Sequence, residues 1–383
     1  MIRALRMGGF KCFDDITVPL SPLTLFTGFN AAGKSTALQT LLLLSQTLRG
    51  QRRSPELRLK GPLVNLGTAT DVINRATGGS EVALGLRTEE GELLWRFSVN
   101  GDDRRSLRAI RAELVSEDSE PRVTEEFEGI RPSRLECPRT LATLEHLIYL
   151  SASRQVDSDL FPVPEDAEEA PGDVGPLGQF GPWWFHQESD SPVAPSRSLK
   201  GLNATTLRYQ VNAWAAEIFP GVEFNALPIS GTNQIRLEIK SGATSGWTRP
   251  ANIGYGISYA FPALVAGLMA PPGCVLIIDS PEAHLHPRGQ AQMGGFLAQM
   301  ASAGVQILIE THSDHVMDGV RIAIREGILK PDDTAFHYFV RSETSAVITT
   351  PQIDGEGRLS EWPEGFFDQH RRNMARLVRP KAS

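Results

Sequence analysis

The pattern of apolar positions predicts regular elements in the first hundred residues. The apolar run LTLFT at 23–27 is followed by a glycine-rich stretch and then by the run STALQTLLLLSQTL. From residue 81 apolar residues alternate with other residues, and the alternation resumes after the turn TEEG. The first pattern predicts a buried strand, a loop and a helix, whereas the second predicts an antiparallel hairpin.

The C-terminal third contains two short apolar runs, VLIID and VQILIETHS, with a helical segment between them. A strand, a helix and a second strand in succession predict a parallel sheet that is buried on both faces. The apolar residues that share one face of the intervening helix are Met293, Phe296, Leu297, Met300 and Ala301.

The middle of the chain is less regular. The run HLIYLSAS predicts a strand that ends near Arg154, and the stretch 156–182 is rich in proline, glycine and acidic residues. We interpret that stretch as an irregular loop that enters a second lobe. A helix over Leu207–Ile218 and a hairpin that turns at SGTN are predicted within this lobe.

Composition narrows the class of protein. The 383 residues are 41% hydrophobic and 22% charged, which is typical of a well-packed globular chain. The formal net charge of −7 excludes an overall basic field, so any contact with DNA must be a local patch. No apolar run approaches the ~20 residues that cross a bilayer, and the N-terminus has no signal-like core.

Cysteine usage favours a reducing compartment. Cys12, Cys137 and Cys274 lie far apart and form no CxxC pair. A zinc or disulfide framework is therefore not expected. We predict a cytoplasmic protein with no membrane partner.

The glycine-rich stretch GFNAAGKST fits the phosphate-binding pattern GxxxxGK[ST], between a predicted strand and a predicted helix. In this motif backbone N–H groups wrap the phosphates, Lys34 places its charge on the β and γ oxygens, and the Ser35 hydroxyl ligates Mg²⁺. The residues assigned to ATP binding are Gly28, Asn30, Gly33, Lys34, Ser35 and Thr36.

A second acidic residue is needed on a neighbouring strand to hold the metal. The run VLIID ends at Asp279, which we predict to be the Mg²⁺ residue together with Ser35. Most of the chain separates the two motifs, which exceeds a minimal nucleotide-binding domain and indicates that a large lobe is inserted between them.

Several segments resemble the heads of the SMC, RecF and OLD group of ATPases. DSPEAHLHP resembles the Walker B and D-loop segment, and ETHSDHV resembles the histidine switch, which implies that His312 senses the γ-phosphate. GGFKCF resembles the strand that leads into the phosphate loop, where Lys11 and Phe13 are weak matches. EWPEGFFDQ resembles a short C-terminal module of bacterial ATPases, some of which act in anti-phage defence with a nuclease partner.

The segment NIGYGIS resembles a degenerate ABC signature that departs clearly from LSGGQ. The matching positions are Gly254, Gly256 and Ser258. In the family this segment reaches across a dimer to the partner's γ-phosphate. The resemblance therefore implies a homodimer or a higher homo-oligomer that sandwiches ATP.

Taken with the motifs, the resemblance implies an α/β fold: a P-loop NTPase of the ABC-type head class, with a mixed sheet, an antiparallel β subdomain and an inserted second lobe. Residues 1–154 would form the N-terminal part of the head, 155–250 the second lobe, and 251–383 the C-terminal part with its module. Arg154 and Gln155 stand about where such heads carry the Q-loop.

Two carboxylates are candidates for the general base. Many ABC heads have a glutamate after the Walker B aspartate, and here that position is Ser280. Glu282 is the nearest carboxylate that could activate water, and together with His312 it is our catalytic assignment. Glu282 could instead cap a helix or pair with a cation. Glu310, at the end of the next strand, is a second candidate.

Two other readings of polar residues stay open. Imidazoles and carboxylates near the two strand ends could form a transition-metal site, although D-loop and switch roles already account for them. These residues are His284, His286, His312, Asp314 and His315.

Basic clusters could contact DNA phosphates, although most such runs are solvated surface, and three arginines could share a helical face. The three clusters are Arg49, Arg52 and Arg53; Arg104, Arg105, Arg108 and Arg111; and Arg371, Arg372 and Arg376. The arginines that could share a helical face are Arg104, Arg108 and Arg111.

The expected function is ATP- and Mg²⁺-dependent closure of two heads, with hydrolysis reopening them and controlling a partner. The chain lacks sustained heptads, and about 70 residues follow the switch, so coiled-coil arms and a fused nuclease are not expected. A separate nuclease or effector is the expected partner, and DNA is a possible one. The alternative is a nucleotide-binding regulatory scaffold with little or no hydrolysis, which Ser280 keeps open.

Overall fold

The computed structural model describes residues 1–50, 54–76, 78–101, 105–116, 120–165, 170–242, 244–341, 346–363, 365–366 and 369–378. The predictions at Arg52, Arg53 and Arg104, and those for the side chains of Arg371 and Arg372, lie outside what is described.

Short strands run through most of the chain. Their bounds are β1 Ala4–Phe10, β2 Phe13–Pro19, β3 Leu23–Gly28, β4 Glu81–Thr88, β5 Gly91–Val99, β6 Leu107–Val115, β7 Arg122–Thr124, β8 Phe127–Glu128, β9 Arg131–Pro132, β10 Ile148–Leu150, β11 Leu160–Pro162, β12 Glu223–Pro228, β13 Gln234–Lys240, β14 Val275–Asp279, β15 Gln306–Glu310, β16 Thr334–Arg341 and β17 Ala346–Thr349.

Helices alternate with strands mainly in the C-terminal half. Their bounds are α1 Lys34–Leu48, α2 Ala69–Val72, α3 Pro138–Glu145, α4 Gly181–Gln187, α5 Leu207–Ile218, α6 Tyr255–Met269, α7 Pro287–Ser302, α8 Asp314–Arg325 and α9 Gln369–Val378. In the described residues no helix has the length and apolar character that a membrane crossing requires.

A largely parallel sheet lies at the centre of the molecule, in the order β10-β14-β15-β3-β16-β17. Neighbouring strands are parallel except for the antiparallel pair β16 and β17, so the sheet is mixed as predicted. The apolar runs of β14 and β15 are buried on both faces, which explains why they read as continuous rather than alternating. Helix α7 joins them on one side.

Each face of this sheet faces its own apolar cluster. Leu25, Ile278 and Ile309 point into a cluster that also contains side chains of α5, α6, α7 and α8. Phe26 and Leu308 point into the other cluster, which contains α1 and the second large sheet. That sheet is antiparallel, in the order β2-β1-β4-β5-β6-β7, and includes the predicted hairpin as β4 and β5.

The predicted helical face of arginines is wrong. Residues 107–115 form strand β6, in which Arg108 and Arg111 are exposed and Arg111 bonds Glu113 at 2.7 Å. The pairing of β6 with β5, across a bulge near Arg96, decides this conformation. Such pairing is a long-range effect that the local spacing of charges does not contain.

The middle segment forms a small three-stranded sheet, β11-β13-β12, with α4 and α5 packed beside it. Helix α5 has the predicted bounds Leu207–Ile218, but the stretch predicted as irregular contains β11, which pairs with β13. Side chains of this segment, such as Phe224 and Trp214, belong to the same apolar cluster as one face of the central sheet. The division of the chain at 154 and 250 stays a prediction.

Two adjacent glycines in α7 provide a test of this packing. A Cβ added to Gly294 would lie 2.2 Å from the carbonyl oxygen of Val316 in α8, whereas a Cβ on Gly295 meets nothing within 4 Å. We expect Gly294→Ala to lower the free energy of unfolding by about 1–3 kcal/mol, because the two helices must separate. Gly295→Ala should be neutral or stabilising by up to about 1 kcal/mol through helix propensity. Urea unfolding of both variants measures the difference, and equal effects would contradict the close approach.

Candidate nucleotide-binding site

The glycine-rich loop follows β3 and leads into α1. Gly28 ends the strand with φ of 123°, and Gly33 precedes the helix with φ of 109°, both in the left-handed region that favours glycine. A Cβ on Gly33 would lie 2.7 Å from the ring of Phe13 and 2.9 Å from Sγ of Cys12. The loop is therefore held close to the hairpin of β1 and β2.

Lys34 is the first residue of α1 and is only 3% exposed. Its Nζ donates to the carbonyl oxygens of Gly28 at 3.2 Å and Phe29 at 2.9 Å, and lies 3.9 Å from Oε1 of Glu310. Burial lowers the pKa of the ammonium, and the carboxylates of Glu310 and Asp279 oppose that effect. The cation is thus held at the loop, beside the ends of β14 and β15.

The ends of three strands meet at this loop. In the parallel pairing Asp279 is opposite Glu310, and Glu310 is opposite Phe26 of β3. Strand β15 therefore lies between the strand that carries the loop and the strand that ends in Asp279. The Ser35 hydroxyl donates to Oε1 of Glu310 at 2.8 Å.

Burial raises the pKa of Glu310 to about 7, and the nearby carboxylate of Asp279 adds to the rise. The hydrogen bond from Ser35 and the charge of Lys34 act in the opposite direction. A buried carboxyl beside a second carboxylate favours its neutral form because the charged form loses hydration. Glu310 is thus poised between its charged and neutral forms near neutral pH.

Ser280 directly follows Asp279, the position at which many ABC heads have a glutamate. Its φ is 50°, its hydroxyl donates to Oδ1 of Asp279 at 2.8 Å, and its N–H donates to the carbonyl oxygen of Glu310 at 2.8 Å. The residue turns the chain after β14 and fixes the orientation of Asp279.

Both carboxylate oxygens of Glu282 accept hydrogen bonds from the segment that follows β15. Oε2 accepts from the Thr311 hydroxyl and Oε1 accepts from the backbone N–H of His312, each at 2.8 Å. Burial raises the pKa of Glu282, and these two hydrogen bonds partly offset the rise. Glu282 therefore holds the predicted switch in place, and its predicted role as the base stays a prediction.

His312 lies at the wall of the same cavity with an exposed ring. Burial lowers its pKa, and the charge of Lys34 lowers it further, so the neutral imidazole is favoured. Ser313 then starts α8, because its hydroxyl accepts from the N–H of Val316 at 3.1 Å. The switch is therefore placed between β15 and a capped helix.

The cavity at the loop has a volume of about 330 Å³ and contains most of the predicted ATP-binding residues. Its walls are formed by Lys11, Cys12, Asn30, Ala31, Gly33, Lys34, Ser35, Thr36, Glu310 and His312. Lys11, which follows β1 in the first hairpin, lines the cavity, and its Nζ donates to Oε1 of Gln39 at 2.7 Å. Phe13 contributes its buried ring behind Gly33.

The residues at the strand ends fit a magnesium ion. A hydroxyl and two carboxylates are hard oxygen donors, the type that Mg²⁺ prefers, and P-loop sites take their remaining ligands from phosphates and water. Ser35 and Asp279 are the residues that would hold the ion, and the carboxylate of Glu310 lies beside Ser35. The transition-metal reading receives no support, since in the described part of the chain no three His, Cys, Asp or Glu residues are grouped as metal ligands.

The histidines after Asp279 have structural contacts instead. His284 packs between the rings of Tyr255 and Tyr259, with centroids at 5.9 and 5.5 Å. The His286 ring accepts from the N–H of Arg288 at the start of α7. His315 lies beside Asp314 at 3.8 Å on the surface.

Arg154 is buried, and most of its contacts are with segments that are distant in sequence, which the sequence alone does not indicate. Its guanidinium donates to the carbonyl oxygens of Ser151 at 3.1 Å, Tyr259 at 2.9 Å and Asp279 at 2.9 Å. It also lies 3.7 Å from the centroid of the Tyr259 ring. Burial lowers its pKa to about 10. Arg154 thus ties the end of β14 to α6, whereas the backbone N–H of Gln155 donates to the carbonyl oxygen of Leu177 at 2.9 Å.

The signature-like segment forms the start of α6, and its three residues differ in accessibility. Gly254 is exposed, as is the neighbouring Tyr255 at 55%. Gly256 is buried, and a Cβ there would lie 2.4 Å from the carbonyl oxygen of His284. Ser258 is buried and its hydroxyl has no partner in the described residues. Gly256 and Ser258 are thus buried within the chain, and their contact with a second protomer stays a prediction.

Glu310 gives the nucleotide-free protein a pH dependence. A carboxyl whose pKa is raised in the fold is protonated there while it is still ionised in the unfolded chain, so stability falls as pH rises from about 4.5 to about 7. Glu310→Gln removes this contribution. We expect the variant to gain stability relative to the wild type as pH rises from 5 to 8, measured by urea unfolding without nucleotide. A constant difference across this range would contradict the assignment.

Two family models match the chain. One, described as an AAA domain, putative AbiEii toxin, Type IV TA system, matches residues 23–318, which is more than half of the chain. The other, described as a protein of unknown function, matches residues 329–377. The OLD nuclease of Thermus scotoductus is 35% identical over 68 residues, which cover 18% of this chain and 12% of that relative.

Solved SMC heads have a similar fold. The SMC head bound to the C-winged helix domain of ScpA superposes with a TM-score of 0.55 at 14% identity, covering 92% of this chain and 98% of that one. The SMC head with an extended coiled coil, bound to the C-terminal domain of ScpA and derived from Pyrococcus furiosus, gives 0.53 at 12% identity, with 99% of both chains covered. Such identities show the fold alone.

The phosphate loop after β3, the acid at the end of β14 and the family match thus agree. The chain belongs to the AAA family described as putative AbiEii toxins of type IV toxin–antitoxin systems, a family of P-loop ATPases, and it has the fold of an SMC head.

Proposed function

We propose that the protein binds ATP with Mg²⁺, hydrolyses it, and uses nucleotide-dependent association of two heads to control a partner. The observation that carries this proposal is the convergence of Lys34, Ser35 and Glu310 at the loop, with Asp279 on the next strand. A buried cation and two carboxylates at the end of a parallel sheet suit a magnesium triphosphate.

The chain's own residues have distinct tasks in this proposal. Lys34 binds the β and γ phosphates, and the backbone N–H groups at the start of α1 point towards them. Asp279 and Ser35 hold the magnesium ion, which when bound neutralises charge on the phosphates. We assign sensing of the γ-phosphate to the neutral imidazole of His312, whose backbone N–H donates to Glu282.

Between the two candidate bases the geometry favours Glu310. Both oxygens of Glu282 accept hydrogen bonds from Thr311 and His312, whereas Glu310 lines the cavity, accepts from the Ser35 hydroxyl through Oε1, and has its pKa raised to about 7 by burial. A general base works best when its pKa is near the working pH. We therefore assign proton abstraction from water to Glu310 and positioning of the switch to Glu282.

Steady-state phosphate release tests these roles. Lys34→Ala should lose nucleotide binding and release together. Glu310→Gln should bind a fluorescent ATP analogue but release phosphate about 10²-fold more slowly or worse, the usual contribution of a general base. Glu282→Gln should slow release less, since a glutamine can still accept one of the two bonds. The assignment fails if Glu282→Gln is the more damaging change, and the enzyme reading fails if wild type and all variants equal background.

A regulatory scaffold is the second candidate, and Ser280 is the observation that favours it. Residue 280 is a serine, so no carboxylate directly follows Asp279, and the Ser280 hydroxyl donates to Asp279 instead. Saturable, magnesium-dependent binding of ATP without turnover would support this candidate over the enzyme.

Head association should use the exposed start of α6. Gly254 and Tyr255 lie there on the surface, at a helix N-terminus that suits an anionic group of a partner-bound nucleotide. The SMC heads of similar fold were solved with ScpA, and the OLD relative is a nuclease, so a separate effector acting in DNA transactions or defence is the partner class we propose.

Light scattering with magnesium and a slowly hydrolysed ATP analogue tests the association. We expect the wild type to shift from monomer to dimer, and Tyr255→Glu to abolish the shift because a negative charge is placed opposite phosphates. Tyr209→Glu, at an exposed tyrosine of α5, is the matched control and should dimerise normally. A dimer that forms equally well in the Tyr255 variant would rule out this surface.

A further inference from the structure

The C-terminal segment lies against two elements of the nucleotide site. We call residues 351–363 and 365–366 the C-terminal strap. It belongs to the part of the chain that matches a model of unknown function. Its contacts with the phosphate loop and with α8 form a continuous series of packed side chains.

The first contact is with the phosphate loop. The ring of Phe29, which is 55% exposed, lies 6.1 Å from the ring of Tyr338 in β16. Gly365 fits against both: with φ of 84°, a Cβ there would lie 2.6 Å from Oη of Tyr338 and 2.9 Å from Cζ of Phe29. The adjacent Phe366 is fully buried and packs edge-on against Tyr338 at 5.1 Å.

The second contact is with α8, the helix that begins two residues after His312. The Nε of Arg321 donates to the carbonyl oxygen of Gly357 at 2.7 Å. The guanidinium of Arg321 also lies 5.6 Å from the ring of Trp362. Trp362 in turn packs against Phe366 at 5.2 Å, which joins this contact to the first.

Nucleotide binding acts on the residues to which the strap is attached. Lys34 donates to the carbonyl oxygens of Gly28 and Phe29, which occupy two of the three donors of an ammonium. Placing that charge on phosphates redistributes these bonds, and Phe29 is the residue whose ring touches the strap. His312, at the other side of the cavity, precedes the helix that holds Arg321.

We propose that the C-terminal strap is a nucleotide sensor: it couples the phosphate loop, through Phe29 and Gly365, to the switch helix, through Trp362 and Arg321. This inference rests on the proposed nucleotide binding. Because coupling is reciprocal, a change that displaces the strap alters nucleotide affinity by the same factor that nucleotide alters strap docking.

Hydrogen exchange of the full-length protein, with and without magnesium and a slowly hydrolysed ATP analogue, tests the coupling. In the wild type we expect nucleotide to change exchange in the strap by at least about fivefold. Gly365→Ala should lose this response and shift the affinity for a fluorescent ATP analogue by at least about fivefold, since its Cβ collides with Phe29 and Tyr338. Trp362→Ala, at a partly exposed side chain, should lose the response by separating the strap from α8.

Gly355→Ala is the matched control, because a Cβ at this strap position meets nothing within 4 Å. It should keep both the response and the affinity. The proposal is overturned if the wild type binds nucleotide saturably while exchange in the strap stays unchanged, or if Gly365→Ala and Trp362→Ala behave like the control. Absence of saturable binding in the wild type would instead overturn the proposed function, and the sensor with it.

Discussion

The parallel alignment of β14, β15 and β3 is the constraint on which the candidate site depends. It brings Asp279, Glu310 and the phosphate loop to one edge of the sheet, where hydration is reduced. Two carboxylates so close together in a buried position repel each other and lose solvent, and the raised pKa of Glu310 reflects both effects. Lys34 and the Ser35 hydroxyl offset part of this cost. A bound cation would offset it more fully, which is why the edge suits a magnesium site.

Hydrogen bonds from neighbouring segments hold this edge in shape. Glu282 fixes the chain after β15, Ser280 orients Asp279, and Arg154 ties the end of β14 to α6. The bonds of Glu282 and Arg154 connect segments that are far apart in sequence, whereas the bond of Ser280 is to the preceding residue. These two bonds join the edge of the cavity to α6 and to the segment that precedes α8.

The C-terminal segment also packs beside the phosphate loop. Tyr338 is on β16, the neighbour of the strand that carries the phosphate loop, and it provides the surface on which Phe29, Gly365 and Phe366 meet. A segment matched by a model of unknown function is thus part of the surroundings of the nucleotide site. In the proposed sensor, this segment couples the phosphate loop to α8.

The sequence by itself determined the elements with a strong local signal. The strand before the phosphate loop, helix α1, the β14-α7-β15 succession and helix α5 follow from apolar period and from glycine and lysine at fixed spacing, because these signals act within a few residues. Only the tertiary structure decided that Arg108 and Arg111 lie on a strand, that β11 pairs with β13, and that Ser258 is buried. The approach of Glu310 to Ser35, the bonds of Arg154 and the contact of Gly365 with Phe29 were likewise set by strand pairing and packing between distant segments. Such contacts depend on which strands become neighbours, and that choice is made by the burial of the whole chain rather than by any one stretch of it.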